Sequence, residues 1–157
     1  MANFFANEGE NYDEAEVLLQ QLLKEDPSNP SLALKYAKLL KKMGRYPLAE
    51  VMYKAAIQNS FVLDSSNSHN SSNNTFLQGA ILCNYGAFLY KQLKNKIKAL
   101  FIFEFGLKHE NLQSHRGLLK NYNYLLKAQP ELRFSADPVI LSFISRNKSN
   151  LQRLLLK

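Results

Sequence analysis

Three histidines, one cysteine and thirteen carboxylates are the groups of this 157-residue chain that could hold a metal, attack a substrate or move a proton. His69, His109 and His115 show neither the i, i+4 pairing nor the cysteine neighbours of a tetrahedral zinc site. His109 suits a helix C-terminus, where a cationic ring interacts favourably with the macrodipole. Cys83 lies in a tightly packed helical stretch and reads as a small buried residue, not an activated thiolate. Six scattered glycines form no phosphate-cradling loop, Gly-x-Ser-x-Gly is absent, and the acids do not pair on a catalytic face. No cofactor, metal or enzymatic activity is expected.

The spacing that does recur is cationic. Ser31, Lys35, Lys38 and Lys42 follow i, i+4, i+7, i+11 and form one polar helical stripe. It lies opposite Ala33, Tyr36, Ala37, Leu40 and Met43, the apolar face of the same helix. Asn29 can cap that helix, Pro30 suits its first position, and Gly44 ends it in a left-handed turn. A second helix restarts at Pro47 with Leu48, Ala49, Met52, Tyr53, Ala56 and Ile57 on its apolar side. Ala37, Ala49 and Ala56 allow close helix approach. A hairpin of this kind cannot bury both faces alone, so neighbours must stack on it.

The pattern Ala37, Gly44-x-Tyr46, Ala49, Tyr53, Ala56 resembles a tetratricopeptide repeat, whose period is about 34 residues. Ala33 stands at the family's tryptophan-type position and Phe61 at its terminal proline. Upstream, Asn11 to Ala15 reproduces the turn in register, and Asp26-Pro27 supplies a repeat-ending proline. Downstream, Leu82 to Tyr90 resembles a first helix, and Ala99, Phe103 and Gly106 a second. The resemblance implies an all-α, right-handed α-solenoid of antiparallel hairpins, with three to four repeats and the first truncated. The expected organisation is a half repeat at 9–29, a repeat at 30–61, a disordered Ser/Asn-rich insertion at 62–75 and a repeat at 76–110. A degenerate helical pair and C-terminal helix would fill 112–157.

Composition bounds the class. Apolar residues at 46% and charged residues at 21% match globular chains, and no apolar run is long enough to cross a bilayer. The N-terminus resembles neither a secretory signal nor a transit peptide. One cysteine excludes an internal disulfide and suits an intracellular, reducing compartment, the cytoplasm first. The net charge of +7 is split: residues 1–30 carry seven acids against Lys24, and the remainder carries 19 basic and six acidic side chains. A basic body favours acidic partners.

Along the chain, a first helix is expected at 12–24, capped by Asn11 with Glu14 completing a capping box and Phe4 and Phe5 folding back over it. Further helices are expected near 76–93, 96–109 and 112–128. The last of these buries Leu118, Leu119, Tyr122, Leu125 and Leu126 before Pro130 stops it. Another helix, from Ser135 through Ile140, Ile144, Leu151, Leu154 and Leu155, closes the array.

The resemblance implies that first helices line a groove. Ser31, Lys35, Lys38 and Lys42 then form a cationic wall, and the equivalent stripe Ile81, Tyr85, Phe88 and Gln92, flanked by Asn84 and Lys91, forms an aromatic floor. Such a groove suits a protein partner bringing an acidic segment with an apolar anchor. The chain would act as a free adaptor or as a subunit of a hetero-oligomeric complex. The alternative is a helical-repeat RNA binder, in which the lysines contact phosphates and Tyr85 and Phe88 stack bases.

Overall fold

The computed structural model describes residues 11–64 and 71–138. They form α1 (Tyr12–Glu25), α2 (Pro30–Lys42), α3 (Tyr46–Asp64), α4 (Ser71–Lys91), α5 (Lys96–Lys108) and α6 (Arg116–Ala128). Short 3-10 turns stand at Glu110–Leu112 and Pro130–Phe134, and the described residues contain no strand. This is the expected all-α helical-repeat class. The chain divides into two compact units, the division falling inside α4 between Ile81 and Leu82.

In the first unit, α2 and α3 form the hairpin and α1 packs on α2. Asn29 Oδ1 accepts from the backbone N–H groups of Ser31 at 3.0 Å and Leu32 at 3.1 Å, satisfying two donors that the helix start leaves open. Pro30 holds the first position. Gly44 has φ +73°, and the N–H of Arg45 reaches back to the Leu40 carbonyl at 2.9 Å, closing the turn. Ala33, Ala37, Ala49, Tyr53 and Ala56 are at most 1% exposed. Small side chains and the Tyr53 ring thus fill the interior of the hairpin. Burial pushes the Tyr53 hydroxyl well above its ordinary pKa.

A polar knot fastens α1 to this hairpin. The Arg45 guanidinium donates to both carboxylate oxygens of Glu16, Tyr36 Oη donates to Glu16 Oε1 at 2.7 Å, and Gln20 Nε2 donates to Tyr36 Oη at 2.9 Å. At the other end of α3, the carbonyl of the fully buried Ser60 accepts from Gln78 Nε2 at 3.1 Å.

Several expectations need correction. Asn11 stands at the N-cap of α1 but its side chain makes no cap bond, so the capping box with Glu14 does not form. Leu48 is 46% exposed, not part of the apolar side of α3. Residues 62–64 and 71–75, expected in the insertion, are helical. Asparagine and serine are weak helix formers, but propensity is a prior that packing overrides. Here Asn74 and Gln78 both reach the Ser60 carbonyl, which rewards extending α4 backwards. The remaining insertion residues, 65–70, lie outside the described residues, as do Phe4, Phe5 and the expected closing helix beyond 138.

In the second unit the C-terminal half of α4 meets α5 and α6. Gly86 is required by a close approach: a Cβ there would collide with the Phe103 ring. A Cβ on Gly106 would meet Leu118 Cδ1 at 2.7 Å and Leu82 Cδ1 at 2.8 Å, so three helices converge there. Leu118, Leu119, Tyr122, Leu125 and Leu126 are buried, as expected. Asn95 caps α5 by accepting from the Lys98 N–H at 3.0 Å. Beyond α6, Lys96 Nζ bonds Gln129 Oε1 at 2.9 Å and pairs with Glu131, fastening the second 3-10 turn to the start of α5.

Candidate functional site

α4 carries aromatics on two faces. Ile81, Tyr85 and Phe88 take the inner one, with 0%, 1% and 1% exposure. The aromatic floor expected from the sequence is therefore core, and neither Tyr85 nor Phe88 can stack on a base without leaving it. The opposite face presents Ala87, Tyr90 and Lys91 toward Lys120, Asn121 and Tyr124 of α6. The cleft between them has a volume of about 340 Å³ and includes Phe103 and Leu125 in its apolar lining. The Tyr90 and Tyr124 rings meet edge to face, with centroids 6.3 Å apart and planes at 79°. Such a pair is a rigid, amphipathic wall.

The rim of this cleft is cationic. Lys91 and Lys120 are both exposed at its rim. Among the described residues neither has an acidic partner, whereas Lys54, Lys96 and Lys108 are paired with Glu50, Glu131 and Asp137. Asn121 adds an amide that can both donate and accept. The arrangement can hold a carboxylate at the rim while an apolar side chain enters below. Of the expected groove residues, Lys91 alone lines this cleft. Asn84 and Gln92, on either side of it in sequence, are half-buried. The lysine stripe belongs to the first unit, where Ser31 and Lys35 are half-buried and Lys38 and Lys42 exposed. Tyr90, Lys120, Asn121 and Tyr124 were missed by sequence reasoning. The spacing of Lys120, Asn121 and Tyr124, opposite the leucine face of α6, was the available signal.

Several other polar groups of the second unit hold its helices together. His115 Nδ1 accepts from the Leu118 N–H at 3.3 Å as the N-cap of α6, and lies 4.0 Å from Cys83 Sγ. Desolvation lowers the His115 pKa, keeping the ring in the neutral form that capping needs. Burial pushes the Cys83 thiol up to about 12, the opposite of an activated nucleophile. Glu104, 8% exposed, accepts from Tyr122 Oη at 3.1 Å and from the Asp137 N–H at 2.7 Å. Desolvation first, then the Glu104 charge, raises the Tyr122 hydroxyl far above its usual range. Lys108 pairs with Asp137 at 2.8 Å, and this hydrogen bond raises the Lys108 pKa. Among the described residues no group of three metal-ligating side chains converges, and none of their helices is long and apolar enough to cross a membrane.

One comparison with known proteins agrees with the hairpin geometry. The tetratricopeptide repeat family model matches residues 6–60, which include α1, α2 and most of α3. No curated protein and no solved structure matches the chain. Repeats of this family generally serve as protein-interaction modules. Over residues 6–60 the chain matches the tetratricopeptide repeat family.

Proposed function

We propose that this protein is a non-enzymatic docking module whose α4–α6 cleft takes an acidic peptide segment with one apolar anchor. The supporting observation is the pairing of two ammonium groups, Lys91 and Lys120, with the Tyr90–Tyr124 wall over an apolar floor. Charge-assisted hydrogen bonds would hold the carboxylates, and the tyrosines supply contact area at low entropic cost. The lysine stripe of α2 offers a second cationic surface, on the first unit, for an acidic partner. The module works as an adaptor or as a small subunit of a larger assembly, in a reducing compartment.

Titration of the full chain with a fluorescent acidic peptide carrying a leucine or phenylalanine, and with its basic counterpart, tests the reading. Lys120→Glu and Tyr124→Ala should each weaken binding by about tenfold or more, the range of a hot-spot residue, while Lys38→Glu should weaken it less. Equal binding of both peptides, or unaltered binding by Lys120→Glu, would overturn the assignment of the cleft. Binding of single-stranded RNA in preference to the acidic peptide, with a steep loss on adding salt, would move the cationic surfaces to nucleic acid.

A further inference from the structure

Two outer helix faces, neither of them in the cleft, carry opposite chemistry. On α1, Asp13, Glu14, Val17, Leu18 and Gln21 form one open patch, with Val17 65% exposed between the two carboxylates. On α5, Ile97 and Phe101 follow at i, i+4 and are 56% and 65% exposed, with Lys94 and Lys98 beside them. Half-buried Phe105 continues the stripe one turn further. Among the described residues Asp13, Glu14 and Lys94 have no ion-pair partner. Each face is an apolar strip about two turns long, flanked by charges of a single sign, and the signs are opposite.

We propose that a second copy of the chain occupies these faces, the acidic face of α1 in one copy docking on the basic face of α5 in the next. The charge distribution favours this occupant: seven acids and one lysine in residues 1–30, against 19 basic and six acidic side chains in the rest. Every copy carries both halves of the contact, in equal number and of matched length. The overall charge of +7 opposes association at a distance. Its reach is about one Debye length, roughly 8 Å at physiological ionic strength, so the local pairing governs once surfaces touch. The contact joins two different faces, so it need not close into a ring and can extend copy by copy. One helix face per partner falls below the roughly 800 Å² per side of a standard stable interface. Association is therefore weak, concentration-dependent and sensitive to salt.

Sedimentation velocity of the full chain over a range of concentrations tests the contact. At low salt the average mass should rise with concentration, and added salt should reverse the rise. Asp13→Lys with Glu14→Lys, and separately Lys94→Glu with Lys98→Glu, should each weaken association by at least about tenfold, because like charges then face each other. An equimolar mixture of the two variants should regain it, since each supplies the face that complements the other. Val17→Ala with Phe101→Ala, which leaves every charge in place, should also weaken association. Circular dichroism of each variant confirms that helicity is retained. A chain that stays monomeric at the highest attainable concentration overturns the proposal. So does a mixture of charge-reversed variants that fails to reassociate, or wild-type association by both variants alone. None of these substitutions touches the α4–α6 cleft, so peptide binding there stands or falls separately.

Discussion

The α2–α3 hairpin is held by shape, with the first unit's buried polar pair, Ser60 and Gln78, set apart at the far end of α3, whereas the second unit adds a buried carboxylate to its apolar packing. Between α2 and α3 the interior is alanine, leucine and tyrosine, and the polar knot of Glu16, Tyr36, Gln20 and Arg45 sits at the periphery, with the Arg45 side chain 42% exposed. In the second unit a carboxylate, Glu104, lies inside and organises both α6 and the chain that leaves it. Small residues at a helix crossing tolerate no added volume but do not mind losing a polar partner. A buried carboxylate has the reverse sensitivity: its donors cannot find water if it goes. The family match covers the first kind of packing and stops before the second.

The contrast can be broken first by volume. By overpacking, Ala49→Leu in the first unit should cost about 2 kcal/mol and Gly86→Val in the second about 3 kcal/mol, read from denaturant midpoints. Gly86→Val should be the larger, because the Phe103 ring already fills the space of a Cβ. Polar deletion comes next. Glu104→Ala leaves the Tyr122 hydroxyl and the Asp137 N–H without their acceptor and should cost about 2–3 kcal/mol. Glu104→Gln, which keeps one acceptor oxygen, should recover part of it. If alanine is neutral here, the two units do not differ in the way described. Gly44→Ala isolates conformation from contact, since nothing lies within 4 Å of its Cβ position and φ is +73°. The cost should be about 1 kcal/mol, from the left-handed backbone alone.

The smallest effect is a pH dependence confined to the second unit. His115 has a lowered pKa in the folded chain, so the unfolded chain binds the proton more readily. Its capping contribution is then complete above the ordinary histidine pKa of about 6.5 and is lost as pH falls through the lower folded value. Stability should drop between neutral pH and about pH 5, by no more than the roughly 1 kcal/mol of an N-cap. His115→Asn caps without titrating in this range and should flatten the difference between the two pH values. An equal acid loss in wild type and variant would mean that other groups carry it.

Most of the helical architecture was legible from local signals. The Asn29 cap, Pro30, Gly44 and the alanine spacing all concern residues within one or two turns of each other. Where sequence reasoning failed, a distant residue intervened. Residues 71–75 join α4 because Asn74 and Gln78 reach Ser60 on the preceding helix. The open face of α4 was misassigned for a related reason. With Tyr85 and Phe88 on one side and Ala87 and Tyr90 on the other, the helix has no purely polar face to mark the outside.

Sequence by itself determined that this chain is all-α, with helical hairpins and a tetratricopeptide signature in its first part, because caps, turns and helical periodicity act over a few residues. Tertiary packing decided which aromatics of α4 are core and which are wall. Burial is a property of the neighbours: the absence of a side chain at Gly86 admits the Phe103 ring, and Tyr85 and Phe88 lie in the interior. Tyr90 and Lys91 are left to face Lys120 and Tyr124, residues some thirty positions away that no local pattern could bring to them.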